Sequence, residues 1–124
     1  NKNINKIENA FNRFKDMLKD KGFYGKTAYV HTFQVPIMKS LGFNIAGTFG
    51  PAPVNAEKIQ EVSGLKPDFI IDNVHNEVAQ PLLEESPDSL YVSFLNFPGL
   101  FNTETLLDVI KYNEEALKKT VTNK

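Results

Sequence analysis

The tripeptide Phe69-Ile70-Ile71 constrains the fold of this chain more than any other feature. A strand with one wet face alternates apolar and polar residues. An unbroken apolar run is buried on both faces, as in a central parallel strand. Residues 27–30, 43–47 and 90–95 read as three further strands. Helical stretches separate them. One covers 35–41, with Pro36 in its first turn and Gly42 as its stop. One is capped by Asn55, one covers 77–85, and one is capped by Thr103 with Leu106, Ile110, Asn113 and Leu117 on a single stripe. Lys66-Pro67-Asp68 is a turn into the strand at 69. Alternation of this kind predicts an α/β fold: an open, mainly parallel sheet of about four strands, sandwiched between helices.

A long helix precedes the first strand. Ile4, Ile7, Phe11, Phe14 and Leu18 recur at spacings of three and four, and Lys19-Asp20-Lys21-Gly22 ends the pattern. The expected organisation is a connecting helix over 1–22 and one α/β lobe over 23–124. The 124 residues suit one domain. A net charge of −1, with no basic patch, gives no reason to expect nucleic acid. Cysteine is absent, which excludes disulfides and thiolate metal sites. No apolar stretch reaches the roughly 18–20 residues of a membrane span. The chain opens on Asn1 rather than Met, from which the expectation is that residues have been removed.

In open α/β sheets, ligands bind beyond the carboxyl ends of the strands. Four segments meet there: His31-Thr32-Phe33, the Gly- and Pro-rich stretch 47–53, Asp72 to Asn76, and Asn96-Phe97-Pro98-Gly99. Both histidines of the chain, His31 and His75, are in this set. Imidazole with a carboxylate is ordinary chemistry for zinc, so His31, Asp72 and His75 are the candidate metal ligands. Each also has a plain reading as a hydrogen-bonded loop residue. Phe33, Asn73, Asn96 and Phe97 are candidate cleft residues, although aromatics at strand ends more often close the top of a core. No Ser-His-Asp, HExxH or phosphate-loop pattern stands beside Asp72, and catalysis is not expected.

The stretch from His31 to Gly42 is similar to the C-terminal lobe of zinc- and manganese-type solute-binding proteins of ABC importers. In that family a His, or a Glu or Ser in its place, ends the lobe's first strand, and a helix then leads to a Gly. Val54-Asn55-Ala56-Glu57-Lys58-Ile59 resembles the family's helix-entry segment. Lys66 to Asn73 resembles its strand ending in a polar residue, and Leu106 to Asn113 its closing helix. The likeness runs from about Thr27 to Leu117. It implies a non-catalytic lobe that captures a zinc or manganese ion with ligands from a second, N-terminal lobe. It also implies delivery to an ABC transporter permease and an extracytoplasmic location, periplasmic or at the cell surface. The opening helix would match the helix joining the two lobes. By this likeness His31 and Asp72 are ligands, while His75 rests on its position alone.

One departure matters: the family usually carries an Asp after the fourth strand, where this chain has Asn96-Phe97-Pro98-Gly99. The missing carboxylate leaves open a chelated or organic cargo of siderophore or haem type. A flavodoxin-like domain of unrelated function is a third reading.

Overall fold

The computed structural model describes residues 2–96 and 105–122. Helix α1 (Lys2–Asp20) is followed by β1 (Thr27–His31), a 3-10 turn (Thr32–Gln34) and α2 (Val35–Ser40). Then come β2 (Asn44–Phe49), α3 (Ala56–Leu65), β3 (Phe69–Asn73), α4 (Gln80–Glu85), β4 (Leu90–Phe94) and α5 (Leu106–Thr122). The four strands form one all-parallel sheet in the order β2-β1-β3-β4. The α/β expectation holds, and Phe69-Ile70-Ile71 lies in an interior strand buried at every position.

Strand alternation sorts the core into two layers. Ala28, Val30, Phe69, Ile71, Val92 and Phe94 face α1, α2 and α5, against Phe14, Leu18, Met38, Leu41 and Leu117. Tyr29 and Ile70 face α3 and α4, with Val62 and Leu82. The opening helix therefore packs on the sheet: the Phe14 ring meets Phe94 edge-on at 6.2 Å. It ends in a Schellman arrangement, with Phe23 N–H bonded to Leu18 O at 2.8 Å, Gly22 N–H to Lys19 O at 3.2 Å, and Gly22 at φ +79°.

The turn at Lys66-Pro67-Asp68 is an anchor as well as a connection. Asp68 Oδ2 accepts from the N–H and hydroxyl of Thr27, at 3.1 and 2.9 Å, and Asp68 N–H donates to Thr27 Oγ1 at 3.1 Å. These bonds tie the amino ends of β1 and β3 together.

Several boundaries differ from expectation. The segment 32–34 is a 3-10 turn, because the His31 side chain caps it. The helix expected over 77–85 begins at Gln80, where Pro81 occupies the first turn and needs no N–H partner. Asp72 and Asn73 belong to the strand, and β2 runs on to Phe49. Asn55 caps α3 through Lys58 N–H at 3.0 Å, as expected. Thr103 lies outside the described residues. At α5 the cap is Thr105, which exchanges reciprocal 3.2 Å bonds with Asp108 in a capping box.

Asn113 fixes α5 to the sheet. Its Oδ1 accepts from Leu95 N–H at 2.8 Å and its Nδ2 donates to Leu95 O at 2.9 Å, all buried. Asn113→Ala strands both backbone groups, and we expect a loss of about 2–4 kcal/mol in urea unfolding. A loss below about 0.5 kcal/mol would mean that water replaces the amide and that this contact is incidental.

Candidate functional site at the carboxyl edge

From β1 the chain steps to β2 on one side and returns to β3 on the other. The strand order thus reverses between β1 and β3, and the carboxyl edge there is the expected place for a ligand. His31 and Asp72 each stand one residue past the Val30–Ile71 pair, on the α3/α4 side of the sheet. Asn73 alternates to the other side.

His31 is fully buried. Its Nδ1 accepts from Phe33 N–H at 3.1 Å, so the ring carries its proton on Nε2, 2.8 Å from Asn76 Oδ1. Phe49 meets the ring edge-on at 5.6 Å, and Phe33 lies at 5.0 Å, half exposed on the rim. Gly50, at φ +69°, lets the loop close on this ring, since a Cβ there would fall 2.8 Å from Nε2. Thr32 Oγ1 holds the same loop through Phe49 O and Gly50 O, at 3.0 and 2.6 Å.

Asp72 is also buried and its carboxylate is heavily engaged. Oδ1 accepts from Asn73 N–H (2.9 Å) and Val78 N–H (3.3 Å). Oδ2 accepts from Ala79 N–H and the Tyr91 hydroxyl, both at 3.0 Å. Backbone donors converging on a carboxylate compensate its burial. Tyr91 also lies 3.4 Å from Glu77 Oε2. Burial, and then the negative charges of Asp72 and Glu77, raise the Tyr91 phenol above its ordinary value. Tyr29 is raised likewise by burial and by its 2.6 Å bond to Glu61.

On the other side, Gln34 reaches from the 3-10 turn across β3. Its Nε2 donates to Asn73 Oδ1 at 2.7 Å and to Phe94 O at 3.2 Å. Gln34 Oε1, Asn73 Nδ2 and Asn96 Oδ1 are buried without a hydrogen-bond partner among the described residues.

The expected site residues thus divide. His31, Asp72, Asn73, His75 and Phe33 gather at the switch point, and Asn96 follows β4. Phe97 lies outside the described residues. His75 is half-buried in the turn after β3, beside Asn76, which bridges back to Asn73. Among the described residues, no three His, Asp or Glu side chains are placed to hold one ion. Gln34, Asn76, Glu77 and Tyr91 were missed. The signal for Gln34 was a polar residue set between Phe33 and Val35, and for Tyr91 a hydroxyl beside an expected buried strand.

No protein-family model matches the chain, and no curated protein matches it. Among the described residues, no helix is long and apolar enough to cross a membrane.

Asp72→Asn turns one oxygen into a donor facing donors. We expect a loss of about 2–4 kcal/mol, faster amide exchange at Val78 and Ala79, and a Tyr91 phenol that ionises at lower pH. Unchanged exchange at those amides would remove Asp72 as the organiser of this turn.

The tyrosines predict an alkaline limit. Below the ordinary phenol value of 10.0, both folded and unfolded chains keep these protons and stability is flat. Above it the unfolded phenols ionise first, so stability falls as pH rises towards the folded values. Tyr29→Phe with Tyr91→Phe should flatten this decline in denaturant titrations from pH 9 to 11. An identical decline in the double variant would assign it to other groups.

Proposed function

We propose that this chain is a non-catalytic solute-binding lobe of an ABC-importer receptor, with its recognition surface at the carboxyl edge of β1 and β3. One observation carries this reading. The segments at that edge, 31–35, 49–55, 72–79 and 94–96, contain both histidines and the carboxylates Asp72 and Glu77, with no Lys or Arg. Such an edge attracts cations and repels anions.

The cargo that suits it is a zinc or manganese ion, with His31 and His75 as nitrogen donors and Asp72 behind them. His31 would ligate through Nε2 in its other tautomer, with the ring proton moved to Nδ1 and the Phe33 N–H and Asn76 contacts given up. The described residues offer too few donors for a closed site, so the rest would come from a second lobe closing over this edge. In this reading α1 is the connection between lobes, a permease receives the ion, and the location is extracytoplasmic.

A second reading is favoured by a specific observation. Both His31 nitrogens and both Asp72 oxygens are engaged, whereas the amides of Gln34, Asn73 and Asn96 have open valences. That pattern suits a chelated or organic solute held by neutral hydrogen bonds. Strand order alone does not separate either reading from a flavodoxin-like domain of other function.

Calorimetric titration with zinc and with manganese tests the metal reading on three proteins. Binding to the wild type should vanish in His31→Ala/His75→Ala. Asn76→Ala, which removes the competitor for Nε2, should bind about threefold to tenfold more tightly. Absence of binding to both wild type and Asn76→Ala would overturn a His31 metal site and leave the organic-solute reading.

A further inference from the structure

The amino edge of the sheet holds an open cleft of about 580 Å³, within the roughly 300–1,000 Å³ of small-molecule sites. Phe23, Phe69 and Leu90 give it an apolar lining, with the Phe23 and Phe69 rings edge-on at 5.5 Å. Its charged rim follows the strand order. Lys26 precedes β1 and Lys66 precedes β3, whereas Glu85 and Asp88 precede β4, the next strand along. All four are exposed. Asp68, between them, is engaged by Thr27. Among the described residues, neither lysine ammonium nor the Glu85 carboxylate has a partner in the chain. Opposite charges that line one cleft without reaching each other leave a gap that a dipolar ligand closes.

Lys66 is held on this cleft at a conformational cost. It ends α3 in the left-handed region, at φ +46° and ψ 61°, where Gly or Asn is usual. Pro67 follows and restricts its backbone further. A side chain kept at such a position, and facing a cleft, points to a role beyond the turn. We propose that the cleft binds an amino-acid-sized zwitterion with an apolar side chain. Its carboxylate lies against Lys26 and Lys66, its ammonium against Glu85, and its side chain on Phe23, Phe69 and Leu90. A simple anion meets the lysines but also Glu85 and Asp88. A simple cation meets the acids but also the lysines. A ligand carrying both charges answers both walls. This site lies at the opposite end of the strands from the carboxyl edge and does not depend on the receptor-lobe reading.

L-Phenylalanine, phenylacetate and phenethylamine are the probes, titrated at constant ionic strength into the 15N-labelled chain. The backbone amide signals of Lys26, Lys66, Glu85 and Ser89 are followed by NMR. L-Phenylalanine should shift them saturably. Each of the other two lacks one charge and should bind about fivefold more weakly, or less well still. Lys66→Gly suits the left-handed backbone, so it should melt no lower than the wild type yet lose about fivefold in affinity. Lys66→Arg should keep the affinity. Unchanged affinity in Lys66→Gly would make the lysine a turn residue only and overturn the proposal. No saturable response to L-phenylalanine, or an equal response to either single-charge probe, would overturn it too. Zinc calorimetry reads the carboxyl edge independently, so the two readings fail separately.

Discussion

Asp72 ends a strand whose preceding residues are all apolar, and its carboxylate lies almost wholly out of water. A charge in that position is tolerable only when its lone pairs are used. Three backbone N–H groups and the Tyr91 hydroxyl use them. The consequences spread from there. The turn after β3 is pulled back over the strand end, α4 is launched with Ala79 already bonded, and Tyr91 is held against a negative charge. Removing the carboxylate would free the segment that carries His75 and Asn76, and with it the partner of His31.

The parity of β3 then splits the edge into two chemical halves. Asp72 on one side stands with His31, Asn76, Glu77 and Tyr91, a half that is ionisable and in which both His31 nitrogens and both Asp72 oxygens are engaged. Asn73 on the other side stands with Gln34, a half that is neutral and under-bonded. The division comes from one physical fact, that successive strand residues point to opposite faces.

How far the sequence reached follows the same physics. The unbroken run at 69–71 revealed the central strand because burial on both faces leaves no alternation to misread. The four strands, the cap at Asn55 and the Gly22 stop are local signals, and all were legible. The start of α4 was not, because a side chain seven residues upstream, Asp72, satisfies Ala79 N–H. At α5 the Thr105–Asp108 exchange marks the cap, while the expected Thr103 lies outside the described residues. At the edge, residue types that ligate metals were visible from spacing alone. Their hydrogen bonds were not: Gln34 meets Asn73 across 39 residues and His31 meets Asn76 across 45. Long-range pairing of neutral amides leaves no periodicity to read.

The two ends of the sheet differ in how completely their buried polar groups are paired. At the amino edge, Thr27 and Asp68 exchange three bonds, and Ser89 joins Ser86 and the Pro67 carbonyl. Each of those groups has found a partner within the chain. At the carboxyl edge the same chain leaves Gln34 Oε1, Asn73 Nδ2 and Asn96 Oδ1 open while burying them. A fold that satisfies its polar groups at one end has no general difficulty in doing so at the other. Buried polar groups left without partners are the exception in a folded chain, and among the described residues these three lie at the carboxyl edge.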